Sequence, residues 1–129
     1  MLVSPADVVA RAKATIKECT VSQAKQVLTP TTLLIDIREA AEFSRGHIPG
    51  AVLSPRGLLE FELHALVERT AAGSDVAPED REIVLYCGTG GRSALAAETL
   101  TNMGYRNVTS LDGGIIAWSA AGLPVDTPL

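Results

Sequence analysis

Aromatic side chains are scarce: two Phe, two Tyr and one Trp make up only 4% of the 129 residues. A core must therefore come from aliphatic residues, and a 47% hydrophobic fraction is enough to build one. A basic excess is also missing. Eleven Lys and Arg face fifteen Asp and Glu, for a formal net charge of −4, which argues against a nucleic-acid partner. No run approaches the roughly 18 consecutive apolar residues of a membrane span. Met1 to Ala14 lacks the basic-then-apolar order of a secretory signal. Two cysteines, Cys19 and Cys87, are too few for a disulfide framework. No CxxC pair or Cys/His cluster has zinc-site spacing, and His47 and His64 stand far apart. We therefore expect one cytoplasmic domain with reduced thiols, no metal, no nucleic acid and no membrane contact.

What is present alternates. Ser4, Pro5 and Asp7 read as N-cap, first-turn proline and capping-box acid of a helix running to about Thr15. Ile16 to Glu18 reads as a short strand. Thr20 and Gln23 form a second capping box, and Pro30 ends that helix. Leu33 to Ile35 is a strand ending at Asp36, Glu39 to Ser44 a short helix, and Ala51 to Leu53 a brief strand. Gly57 to Thr70 carries apolar residues near helical spacing. Ala72 to Arg81 reads as loop with one turn after Pro78. Ile83 to Leu85 is a buried strand, Arg92 to Met103 a helix closed by Gly104, Val108 to Leu111 a strand and Gly114 to Ala120 a last helix. Short apolar strands separated by helices predict an α/β fold, a mostly parallel sheet with helices on both faces.

The stretch "LYCGTGGRS", residues 85–93, carries the chemistry. In open α/β sheets ligands bind beyond the carboxyl ends of strands, and Cys87 stands there, ahead of a helix that begins near Gly91 or Arg92. Gly88, Gly90 and Gly91 let backbone N–H groups converge on one point, at the positive end of a helix dipole. A thiolate placed there is stabilised and made nucleophilic. A lone cysteine after a strand is more often a small buried hydrophobe. The conjunction of cysteine, glycines, Arg92 and helix start outweighs that reading. The loop is no P-loop, because no Gly-Lys-Ser/Thr follows, and no GxGxxG is completed.

Together, "LIDIREAAEFSRGHIPGAV", "IVLYCGTGGRSALAAETLTNMGY" and "LDGGIIAWSAAGLPV" resemble a single-domain rhodanese from about Ile16 to Val125. Residues 16–129 then form the rhodanese domain and residues 1–15 an N-terminal helical extension. The resemblance implies a five-stranded, mainly parallel sheet and sulfurtransferase chemistry. Cys87 would take a sulfane sulfur from thiosulfate or a persulfide and pass it to cyanide or a thiol, with partners that include a protein thiol or persulfide. It implies no cofactor beyond the covalent cysteine persulfide. Two alternatives stand beside it: a non-catalytic rhodanese-like binding or relay module, and a cysteine phosphatase. The phosphatase pattern has five residues between cysteine and arginine and a histidine before the cysteine. Here four residues intervene and Tyr86 precedes.

Thr89 belongs to the persulfide loop with its glycines. Arg92 is placed to orient an anionic donor or to brace the loop, and Ser93 to cradle the persulfide or satisfy backbone. Asp36 ends its strand at the same sheet edge, where it could bond the loop or its arginine. Arg56 could be a second anion contact. Arg38, Glu42 and His47 read as ties of the turn after Asp36, Trp118 as core and Cys19 as inert, with a resolving role as its alternative. Thiosulfate-preferring members of the family often carry a basic residue directly after the cysteine, where this chain has Gly88. That departure points to a neutral or protein-borne persulfide as donor.

Overall fold

The computed structural model describes residues 1–71 and 73–127. The elements alternate: α1 (Pro5–Lys13), β1 (Lys17–Cys19), α2 (Val21–Val27), β2 (Leu33–Asp36), α3 (Ala40–Arg45), β3 (Val52–Leu53), α4 (Leu59–Arg69), β4 (Ile83–Tyr86), α5 (Gly91–Asn102), β5 (Val108–Leu111) and α6 (Gly114–Ala120). One 3₁₀ turn, Pro78–Asp80, precedes β4. The local signals act as expected at two helix starts. The Ser4 hydroxyl accepts the Asp7 N–H, and Thr20 and Gln23 close a reciprocal capping box.

The five strands lie in the order β1-β5-β4-β2-β3, and every neighbouring pair is parallel. Side-chain alternation along the central strands sorts the core into two layers. Leu33, Ile35, Ile83, Leu85 and Val108 pack with Leu63 and Leu66 of α4 and Ala97 and Leu100 of α5 on one face. Leu34, Val84, Tyr86 and Leu111 pack with Ala24 of α2 and Ile115 and Trp118 of α6 on the other. Both central strands are buried along their whole length, which is why they read as unbroken apolar runs. Trp118 is core, and its Nε1–H donates to the Pro124 carbonyl at 2.8 Å. Strand β1 sits one residue later than the sequence suggests, so Cys19 rather than Glu18 ends it.

Helix α1 is docked on α5 rather than detached. Ala12 is buried beneath it, and Lys13 bridges Glu18 and Asp112, each at 3.0 Å. Among the described residues no helix is long and apolar enough to cross a membrane.

Candidate active site

Cys87 continues the odd-numbered face of β4, so its side chain joins the α4/α5 layer, where it is 1% exposed. The chain then turns through Gly88 to Gly90 into α5. The Cys87 Sγ receives the Gly90 N–H at 3.1 Å and the Ser93 N–H at 3.4 Å, and the Ser93 Oγ lies 3.6 Å away. Gly90 is the N-cap of α5 with φ +103°, a conformation that suits glycine. A Cβ there would also meet the Gly113 nitrogen at 3.1 Å.

The first turn of α6 completes the cradle from outside. Its Ile115 and Ile116 N–H groups donate to the Cys87 and Gly88 carbonyls at 3.0 and 3.1 Å. Those carbonyls are thereby held off the sulfur while the amides face it. Gly114 permits this approach: with φ +58°, a Cβ there would fall 2.4 Å from the Gly88 carbonyl oxygen and 2.5 Å from that of Cys87.

Two opposed effects act on the sulfur. Burial alone would push the Cys87 thiol up, but the Ser93 hydroxyl and the N–H groups of Ser93, Gly90 and Thr89 outweigh it and bring the thiol below its ordinary value. Cys19 shows the contrast. Burial, reinforced by Glu18 and Asp112, pushes its thiol up, the direction opposite to that of Cys87.

Arg92 lies over the loop mouth. Its guanidinium forms a two-pronged pair with Glu42 of α3, at 2.9 and 3.1 Å. Glu42 raises the Arg92 value most, and the Cys87 sulfur adds to it. In return the Arg92 hydrogen bond holds Glu42 at about 2. The arginine thus braces the loop against α3 while leaning toward the sulfur. Gly88 is outside the left-handed region, and a Cβ on it would meet only the Arg92 Nη2, at 3.3 Å. Val9 of α1 sits over Gly91, 3.6 Å from where a Cβ would project. Thr89 is exposed between α1 and the mouth.

Asp36 and Arg56 are engaged away from the cradle. Asp36 does not reach the loop or Arg92. Parallel register pairs Asp36 with Tyr86, one residue before Cys87, so its carboxylate falls on the opposite sheet face. There it is buried against Arg38, whose Nε and Nη2 bind it at 3.1 and 2.8 Å. Arg56 is engaged elsewhere: it pairs with Glu60 at 2.7 Å and donates to the Thr99 hydroxyl at 3.1 Å. Within the turn, Arg38 also donates to the Gly46 carbonyl at 2.7 Å. His47 stacks on Phe43 at 3.8 Å and exchanges backbone bonds with Asp126, as befits a turn residue. Glu42 goes beyond its expected local role by reaching Arg92, and Gly114 and Ser110 are partners of the cradle that sequence reasoning missed. The "LDGG" motif was the available sign for Gly114. Ser110 left none.

The all-parallel five-stranded sheet and a cysteine cradle between β4 and α5 define a class. The chain belongs to the rhodanese-like domain family, whose model matches residues 20–121. Among curated relatives, a sulfurtransferase of Allochromatium vinosum is 39% identical over 78% of this chain and 83% of its own. The thiosulfate sulfurtransferase GlpE of Haemophilus influenzae is 34% identical over 86% of this chain and 95% of its own. Among solved structures, the protein RPA3614 of Rhodopseudomonas palustris, described as of unknown function and a possible tyrosine phosphatase, is 30% identical. It covers 98% of this chain and 96% of its own, with a TM-score of 0.77.

Proposed function

We propose that the protein is a sulfurtransferase that carries sulfane sulfur as a persulfide on Cys87. The observation that carries this reading is the cradle itself: two backbone N–H groups and a serine hydroxyl converge on the sulfur of a cysteine at a helix start. In the first half-reaction the Cys87 thiolate attacks the outer sulfur of the donor. A new S–S bond forms, the donor's bond breaks, and the leaving group (sulfite from thiosulfate, a thiolate from a persulfide) departs with the electron pair. In the second, cyanide or an acceptor thiolate attacks the outer sulfur and Cys87 leaves as thiolate. Both steps begin or end with negative charge on the cradled sulfur, which the converging donors stabilise. Arg92, already held by Glu42, is less suited to clamp a phosphoryl group, so the geometry favours sulfur over phosphate.

The charges at the mouth bear on the choice of donor. Arg92 over the loop is paired with Glu42, and Lys13, which lines the same hollow as Thr89 and Gly91, with Glu18 and Asp112. A dianion such as thiosulfate gains little attraction there, which favours a neutral or protein-borne persulfide. A stopped-flow experiment without acceptor tests the first half-reaction. Thiosulfate should release a burst of one sulfite per protein. The burst should vanish in Cys87→Ser and persist in Cys19→Ser. No burst from thiosulfate or from a small persulfide would remove the reading and leave a non-catalytic module.

A further inference from the structure

Behind Ser93 lies a second hydroxyl, that of Ser110 on β5. Parallel register pairs Ser110 with Leu85, which puts its side chain on the Cys87 face of the sheet, a layer otherwise filled by apolar groups. Both serines are fully buried, and their oxygens are 2.8 Å apart. Among the described residues Ser93 is the only hydrogen-bond partner of the Ser110 side chain.

Ser93 has a single hydroxyl proton and three neighbours for it: Ser110 at 2.8 Å, the Gly90 carbonyl at 3.3 Å and the Cys87 sulfur at 3.6 Å. If Ser93 donates to Ser110, nothing remains for the sulfur. If Ser110 donates to Ser93, the Ser93 proton is free to turn between the Gly90 carbonyl and the sulfur. A buried hydroxyl chain of this kind is polarised toward an anion at its end, since each bond strengthens the next.

We propose that Ser110 is a positioning residue for Cys87: by donating to Ser93 it keeps the Ser93 proton from turning to Ser110 and polarises it toward the sulfur when the sulfur is anionic. The proposal rests on Cys87 as the reacting thiol of the reading above. The charged groups around the cradle are Arg92 of α5, paired with Glu42 of α3, and Asp112 after β5, paired with Lys13 of α1. Removing the Ser110 hydroxyl touches none of them.

Alkylation of sulfur-free protein across pH tests this without any transfer activity, so its failure is distinguishable from failure of the sulfurtransferase reading. Ser110→Ala should raise the Cys87 midpoint by about 0.3 pH unit, roughly a twofold loss of thiolate below the midpoint. Ser110→Thr, which keeps the hydroxyl, should restore it if it folds. The decisive arm is a double-mutant cycle with Ser93→Ala, in which Ser110→Ala should add no further shift. An unmoved midpoint in Ser110→Ala would overturn the proposal. So would an undiminished shift in the Ser93→Ala background, because Ser110 would then not act through Ser93.

Discussion

At the scale of single residues, the sulfur of Cys87 is governed by a contest between burial and hydrogen bonding. Burial of a thiolate is costly, and the four donors of the cradle must exceed that cost for the site to ionise. The hydroxyl of Ser93 heads those donors, ahead of any charge on Arg92, whose guanidinium is already matched to Glu42. Ser93→Ala should therefore raise the alkylation midpoint by roughly one unit, the size of one charge-assisted hydrogen bond. Arg92→Ala should raise it by less. Iodoacetamide rates measured across pH decide the order, and a larger shift from Arg92→Ala would place the stabilisation in the guanidinium instead. Cys19, whose thiol burial pushes up, is the internal control and should stay unmodified over the same range.

Among the elements, α6 and α3 hold the cradle from two sides. Helix α6 approaches so closely that position 114 admits no side chain. Gly114→Ala would drive a methyl into two carbonyl oxygens and force a left-handed backbone, a loss of roughly 2–4 kcal/mol. Urea unfolding should register that loss, with transfer activity falling alongside it. Unchanged stability would mean that α6 is free to move. Helix α3 acts through charge. Glu42 is held at about 2 by Arg92, below its ordinary 4.5. A carboxyl lowered in the folded state stabilises it above the unfolded value and loses that contribution as pH falls through the folded one. The Arg92–Glu42 pair should thus hold at neutral pH and weaken only as pH falls from 4.5 toward 2. In thermal unfolding across that window Glu42→Gln should flatten the acid-side decline. If the decline is as steep as in the parent, the pair adds nothing.

Much of this was legible in the residues because it is local. Capping boxes, glycine stops and the apolar runs of β2 and β4 carry their own signals, and Cys87 with its loop stands in seven consecutive positions, 87–93. The partners of the loop were less legible because they arrive from elsewhere in the chain. Asp36 and Arg56 were assigned to the right sheet edge, but edge alone does not specify face, and the one-residue offset between Asp36 and Cys87 reverses it. Ser110 follows Thr109 in a strand that is half polar, with nothing nearby in sequence to mark it.

Taken as a whole, the molecule presents a nearly enclosed sulfur at a mouth whose cations are already paired. Helix α1, outside the matched residues 20–121, closes one side of that mouth by seating Val9 on Gly91. Gly88, at the mouth itself, tolerates a side chain, because its backbone is unstrained and only the Arg92 guanidinium need shift. Gly88→Arg should therefore supply the missing unpaired cation. An exposed charge contact of roughly 0.5–1 kcal/mol is worth about two- to fivefold in kcat/KM for thiosulfate, mostly through KM and weaker at high salt. Gly88→Ala carries the bulk without the charge. If arginine does no better than alanine, charge is not what limits that donor.

The central claim is that Cys87 itself carries the sulfur, and the intact mass of the protein tests it most directly. After incubation with thiosulfate or a small persulfide and removal of excess donor, the mass should rise by about 32 Da, one sulfur on one thiolate. It should return to the starting value on addition of cyanide, and Cys19→Ser should behave as the parent does. A gain that survives in Cys87→Ser, or no gain with any donor in the parent, would contradict the account.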